Sequence, residues 1–268
     1  MRVSKTMLHK YEEPCISGED RERGSGAIFF SGCNLRCVYC QNSAISRSVA
    51  SGEVYTPEML ADEMLRLEDA GAYNINLVTP THYIPQIIAA LDIAKRRLKV
   101  PVVFNTGGYE RAEVIRALDG YADIFLTDFK YGSAEPAKKY SAAEDYFEWA
   151  SAAILEMFRQ TGPYRMENGQ LRSGVLIRHL LLPGEMENTR RCIDWVAETF
   201  RPGDVLFSLM SQYTPQPGAV GNLARHVTGA EYRSAVTYME NCGIVDGFTQ
   251  ERTSAKEEYT PEFDLSGI

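Results

Sequence analysis

A parallel α/β fold is what this sequence predicts, and three observations predict it. Six short apolar runs recur along the chain, continuous rather than alternating, as strands buried on both faces read. Helical patterns with readable ends separate them. Crossovers between parallel strands are right-handed, so successive βα units curl the same way into a barrel or partial barrel; six units are too few for a closed eightfold one.

The first 24 residues read as an N-terminal extension, and the first strand is expected over Ala27 to Phe30. Thr56 then suits a helix N-cap, with Pro57 at the first helical position, Leu60, Met64 and Leu67 on one face, and Gly71 as the stop. The second strand is expected over Ile75 to Thr79, followed by a helix from about Ile84 to Leu98 that closes before Pro101, and a third strand over Val102 to Asn105. A short helix over Ala112 to Leu118 leads to a fourth strand, Ile124 to Thr127, and a long helix is expected from about Ala142 to Gln160. The segment from Gly162 to Arg172, with a hairpin turn at Asn168-Gly169, belongs to the rim opposite the strands' C-terminal ends. The fifth strand is Val175 to Leu182, then a helix from about Thr189 to Phe200, the sixth strand Val205 to Met210, and a last helix from Ala230 to Asn241. The loop from Ser211 to His226, rich in Pro and Gly, reads as a lid or docking loop, and residues 253–268 form a polar tail.

With 268 residues, 44% of them apolar, and no repeat or long linker, the chain is expected to be a single domain, 1–268. A formal charge of -8 argues against a nucleic-acid partner. The one short basic cluster, Lys95-Arg96-Arg97, falls at an expected helix C-terminus, where base complements the dipole. Met1 to Tyr11 is polar, without the apolar core of a signal peptide, and no run approaches the length of a membrane span. A cytoplasmic protein with reduced cysteines and no membrane partner is therefore expected.

The segment Gly32-Cys33-Asn34-Leu35-Arg36-Cys37-Val38-Tyr39-Cys40-Gln41-Asn42 places three cysteines in C-x3-C-x2-C spacing directly after the first strand. Structural zinc needs a second half-site, and none is present: Cys15, Cys192 and Cys242 stand alone and read as packed thiols. Electron-carrying clusters are held by four thiolates as a rule, so three leave one iron of a cubane open to a ligand. Strand-end residues at the same rim are the other candidates for chemistry, because polar groups there need partners.

The motif with Tyr39 as its aromatic, and the flanking Gln41-Asn42, resembles the radical S-adenosylmethionine (SAM) superfamily, and within it the pyruvate formate-lyase activating enzymes. A subgroup of activating-enzyme-like proteins is the nearer likeness, carried by Glu12-Glu13-Pro14, Ile16-Ser17-Gly18, Gly24-Ser25-Gly26 and Asn74-Ile75-Asn76-Leu77-Val78-Thr79-Pro80-Thr81-His82. The resemblance implies a partial (βα)6 TIM-like barrel of the radical SAM type. It implies a 4Fe-4S cluster on Cys33, Cys37 and Cys40, with SAM at the open iron and Tyr39 beside the adenine. Thr79-Pro80-Thr81 stands where activating enzymes carry Gly-Gly-Glu to hold the SAM amino group, so hydroxyls and carbonyls replace a carboxylate there. Asn105-Thr106-Gly107-Gly108 and Asp128-Phe129-Lys130 match segments that contribute to SAM binding, and Asn105 puts a neutral amide where a cation-binding acid stands in some members. Arg178 matches an arginine able to pair with the SAM carboxylate in two-point fashion, with a structural Asp128–Arg178 ion pair as the alternative. Met210 and Tyr213, after the sixth strand, complete the expected SAM contacts. His82 and His179 invite acid–base roles.

By this resemblance the chain is expected to cleave SAM reductively, giving a 5'-deoxyadenosyl radical that abstracts a hydrogen atom. An external low-potential donor, flavodoxin or ferredoxin, is implied. The substrate expected first is a glycyl radical enzyme; a small molecule or another peptide is the alternative. A non-catalytic iron-sulfur protein for electron transfer is the reading from a different class.

Overall fold

Strand pairing follows chain order through the whole centre of the molecule, as right-handed βα units require. The computed structural model describes residues 1–20, 22–249 and 263. Its elements are β1 (Arg2–His9), α1 (Pro14–Ser17), β2 (Gly24–Phe30), α2 (Ser43–Ser46), β3 (Glu53–Val54), α3 (Pro57–Asp69), β4 (Ala72–Val78), α4 (Ile84–Ala94), β5 (Val102–Thr106) and α5 (Ala112–Arg116). Then follow β6 (Ile124–Asp128), α6 (Ala134–Ser141), α7 (Tyr146–Thr161), β7 (Arg165–Glu167), β8 (Gln170–Leu180), α8 (Met186–Thr199), β9 (Leu206–Met210), α9 (Gly229–Asn241) and β10 (Gly247–Thr249).

The six strands expected from sequence are β2, β4, β5, β6, β8 and β9, parallel neighbours in that order. The fold is the expected partial (βα)6 barrel, with additions at both edges. β10 extends it in parallel beside β9, while β1 and β3 extend the other edge antiparallel. Among the described residues those edges do not pair with each other, so the arc is open. The extension, 1–24, is thus partly built into the sheet through β1.

Alternate residues of the strands face opposite ways, which separates two cores. Ile28, Phe30, Ile75 and Leu77 pack outward on Leu60, Met64 and Leu67 of α3 and on Ile87 and Leu91 of α4. Val103, Ile124, Leu126, Leu176 and Leu206 form a second apolar cluster with Cys15 and Ile16, so α1 plugs the arc where these strands begin. Some helix boundaries differ from the sequence reading. The helix expected from Ala142 begins only at Tyr146, because Ala142 takes a left-handed conformation (φ 54°) that terminates an unexpected helix, α6. The expected hairpin joins β7 to β8 with Asn168 and Gly169 both at positive φ, 51° and 78°. No described helix is long and apolar enough to cross a membrane. The polar tail lies outside the described residues except for Phe263, whose ring meets Phe29 edge-on at 5.6 Å.

Candidate active site

The register sets Val78 beside Asn105, Thr106 beside Thr127, Asp128 beside Arg178 and Leu180 beside Met210, so the strand ends share one rim. A cavity of about 250 Å³ opens there, lined by Cys33, Cys37, Tyr39, Cys40, Thr79, Asn105, Thr106, Asp128, Lys130, Arg178, Met210 and Tyr213. The cavity therefore brings together twelve of the residues singled out in the sequence. Pro80, Thr81, His82 and His179 are outside its lining.

The cysteine loop leaves β2 through Gly32, whose φ of +89° is left-handed, and is then sewn to the end of α6. Arg36 N donates to Ser141 O at 3.2 Å and Val38 N to Tyr140 O at 2.8 Å. Each thiol has a hydrogen-bonding neighbour: Leu35 N donates to Cys33 Sγ at 3.4 Å, Ser141 Oγ donates to Cys37 Sγ at 2.9 Å, and Cys40 Sγ lies 3.3 Å from Ser46 Oγ. Burial pushes the free Cys33 thiol up to about 11 against the Leu35 amide, and raises Cys37 against Lys130 and Ser141. Metal ligation reverses that balance, since a coordinating thiol is deprotonated.

The donor set fits a polynuclear cluster. Cys15, Cys192 and Cys242 do not line the cavity, and among the described residues no three His, Cys, Asp or Glu side chains close around a single-ion position. Three thiols of one loop lining the cavity suit a cluster in which each corner metal takes its own thiolate.

Below the thiols lies a charged tier. Arg178 donates from Nε to Asp128 Oδ1 (2.9 Å), from Nη1 to Glu12 Oε2 (2.9 Å) and from Nη2 to Asn105 Oδ1 (2.8 Å). Lys130 Nζ bonds the other Asp128 oxygen. Burial raises the Asp128 carboxyl, but Lys130 and Arg178 outweigh it and hold the group below the ordinary carboxylate range. Asp128 and Arg178 thus form the structural ion pair that was the alternative reading of the sequence, and both line the cavity. Glu12, named in the sequence only as part of a motif, closes this network from the N-terminal segment.

Beside Asn105, Thr79 has φ +56°, a rare conformation for a β-branched residue and one typical of functional sites. Its N–H donates to Asn105 O at 2.8 Å. Next to it, Thr81 Oγ1 donates to Glu110 Oε1 at 2.6 Å and Thr106 Oγ1 donates to the same oxygen. Burial pushes the Glu110 carboxyl up to about 7, against the two hydroxyls. Sequence reasoning passed over Glu110, although a carboxylate two residues beyond Gly107-Gly108 at a strand end was the available signal.

The histidines behave differently from each other. His179 faces away from the cavity, fully buried, with Nδ1 2.7 Å from Phe129 O and Nε2 2.9 Å from Thr189 Oγ1. Burial pushes it down to about 4, and both nitrogens are occupied by structural bonds. His82 is exposed in the 3₁₀ turn Thr81–Tyr83. Tyr39 is buried, with its hydroxyl 2.7 Å from Tyr131 OH and its ring edge-on to Tyr213 at 6.3 Å.

This architecture has known counterparts. Residues 27–196 match the family model of the Radical SAM superfamily. The chain is 28% identical over 231 residues to MJ0674, an uncharacterized protein of Methanocaldococcus jannaschii, across 82% of this chain and 63% of that protein. It therefore spans less than two thirds of that curated relative. Streptococcus suis SuiB, solved bound to S-adenosylmethionine, superposes with a TM-score of 0.57 at 12% identity, covering 87% of this chain and 54% of SuiB. SuiB bound to its precursor peptide SuiA gives 0.58 over 83% of this chain and 47% of that one, also at 12% identity. Methylornithine synthase, PylB, gives 0.53 at 16% identity over 80% and 61%. At those identities the likeness is one of fold, and the family match rests on the sequence itself. The chain belongs to the radical SAM superfamily, whose cofactors are a 4Fe-4S cluster and S-adenosylmethionine.

Proposed function

We propose that this chain is a radical SAM oxidoreductase that acts on a peptide or protein, with a glycyl radical enzyme as the first candidate and a small molecule as the alternative. The observation that carries the reading is the convergence of Cys33, Cys37 and Cys40 with Asp128, Lys130, Arg178 and Thr79 on one cavity. When bound there, the cluster and SAM supply reductive cleavage of the sulfonium and hydrogen-atom abstraction.

The residues of the chain bind, orient and exclude water. Cys33, Cys37 and Cys40 hold the cluster. Tyr39, Met210 and Tyr213 offer aromatic and apolar surface to an adenine. Asn105, Thr106, Asp128 and Lys130 supply polar partners, and two Arg178 N–H groups remain beyond its three bonds to meet a carboxylate. The turn Thr79-Pro80-Thr81 presents hydroxyls and carbonyls to an ammonium, and it is held from behind by Glu110. His179 takes no part in proton transfer, and His82 lies outside the cavity lining. The open arc leaves room for a peptide segment, and SuiB, of the same fold, was solved with its precursor peptide bound. Flavodoxin or ferredoxin would supply the electron.

The test is anaerobic reconstitution with iron and sulfide, followed by SAM and a strong reductant. The expected product is 5'-deoxyadenosine, absent from a Cys37→Ala variant. No 5'-deoxyadenosine from the cluster-loaded wild type refutes the proposal. Deuterium transfer from labelled candidate substrates into 5'-deoxyadenosine then identifies the partner.

A further inference from the structure

The three thiols are not hydrogen-bonded alike. Leu35 N and Ser46 Oγ stand 3.4 and 3.3 Å from Cys33 and Cys40, whereas Ser141 Oγ is 2.9 Å from Cys37 Sγ. Behind Ser141 stands Tyr131, with its hydroxyl 2.6 Å from Ser141 Oγ, and behind Tyr131 stands Tyr39 at 2.7 Å. Ser141, Tyr131 and Tyr39 are 1%, 0% and 7% exposed, so these hydroxyls keep one another as partners in place of water.

Proton counting fixes the direction of the chain. A metal-bound thiolate only accepts, so Ser141 must give its single proton to Cys37. Ser141 then accepts from Tyr131, and Tyr131, its own proton committed, accepts from Tyr39. Each donated bond polarises the next, which strengthens the terminal one at sulfur. The geometry does not depend on side-chain packing alone. Ser141 ends α6, and its carbonyl and that of Tyr140 accept from the cysteine loop at Arg36 and Val38, so backbone bonds hold donor and sulfur together.

We propose that Ser141, backed by Tyr131 and Tyr39, is a positioning residue that keeps a donated hydrogen bond on the Cys37 thiolate and so raises the reduction potential of the cluster. The inference rests on the cluster reading of the site. Reduction adds negative charge to the cluster and its sulfurs, and a buried donor aimed at one of them favours the reduced form.

The measurement is the midpoint potential of the reconstituted cluster, followed by anaerobic redox titration with paramagnetic resonance and without SAM. Ser141→Ala is expected to shift the potential to a more negative value, and Tyr131→Phe to shift it the same way by less. Ser141→Thr, which keeps the hydroxyl, is expected to stay with the wild type. Equal potentials in wild type and Ser141→Ala overturn the inference, as does a Ser141→Thr shift equal to that of Ser141→Ala, which would make packing the cause. If Ser141→Ala retains no cluster, Tyr131→Phe decides alone: a negative shift supports the inference and no shift overturns it. Wild-type protein that takes up no 4Fe-4S cluster overturns the functional reading and this inference with it, an outcome distinct from an unshifted potential.

Discussion

Replacing Glu110 by Gln isolates one buried titration and gives it a measurable sign. Glu110 is 4% exposed, and among the described residues its bonded oxygen accepts from the Thr81 and Thr106 hydroxyls, which a glutamine Oε1 can equally accept. Burial raises the carboxyl from its ordinary 4.5 to about 7. Between those values the folded protein holds a proton that the unfolded chain has released, so stability is lost as pH rises through the window. At about 1.4 kcal/mol per pH unit the interval corresponds to roughly 3 kcal/mol. The assay is urea unfolding of the cysteine-reduced apoprotein at pH 4.5 and pH 8, wild type against Glu110→Gln. The expected result is near-equal stability at the lower pH and a variant more stable by up to about 3 kcal/mol at pH 8. Burial also raises Glu13, so the wild type's own pH profile is steeper than this one group explains, and only the difference between the two proteins counts. A difference that does not change between the two pH values refutes the argument.

Two further outcomes are expected. The Tyr146 hydroxyl accepts from Lys130 N at 3.0 Å and faces Gly107 O and Asp128 O at 2.9 Å, tying the ends of β5 and β6 together. Tyr146→Phe keeps the ring and removes the hydroxyl partner of Lys130 N and Gly107 O, so urea unfolding should show a loss of about 1–3 kcal/mol. Gly169→Ala meets no neighbour within 4 Å but must adopt φ +78°. It should cost about 1 kcal/mol in thermal unfolding while leaving 5'-deoxyadenosine formation unchanged, because the hairpin is on the rim away from the cavity.

The strands of the parallel arc were legible because burial on both faces writes itself as continuous apolar sequence, as in Ala27-Ile28-Phe29-Phe30. β1 was not. Its residues, Arg2-Val3-Ser4-Lys5-Thr6-Met7-Leu8-His9, mix charge and apolarity as an antiparallel strand outside the parallel arc allows, and carry no helical or buried-strand period. α6 was hidden for another reason: Ala142, a strong helix former by propensity, stops that helix in a left-handed turn closed by backbone bonds to Ala137 O and Lys138 O. The cavity wall divides similarly. The thiols and the strand-end polar groups follow from position alone. Glu12, Tyr131 and Ser141 act through contacts that no local pattern encodes, with Ser141 meeting Cys37 across 104 residues.

The Glu12–Arg178 bond has a temporal consequence as well. Its partners are 166 residues apart, the most distant pair in the charged tier. At roughly 5–20 residues per second of synthesis, Glu12 waits on the order of ten to thirty seconds for its arginine to be made. Cys33, Cys37 and Cys40 emerge almost as early and share that wait, exposed on an unfinished sheet before Lys130, Ser141 and Arg178 exist to enclose them. The full lining of the cavity therefore exists only once the chain has grown past Arg178. Oxygen or stray metal reaching the nascent thiols is the hazard this topology builds into the protein's birth, and slow elongation downstream of the cysteine loop would lengthen it.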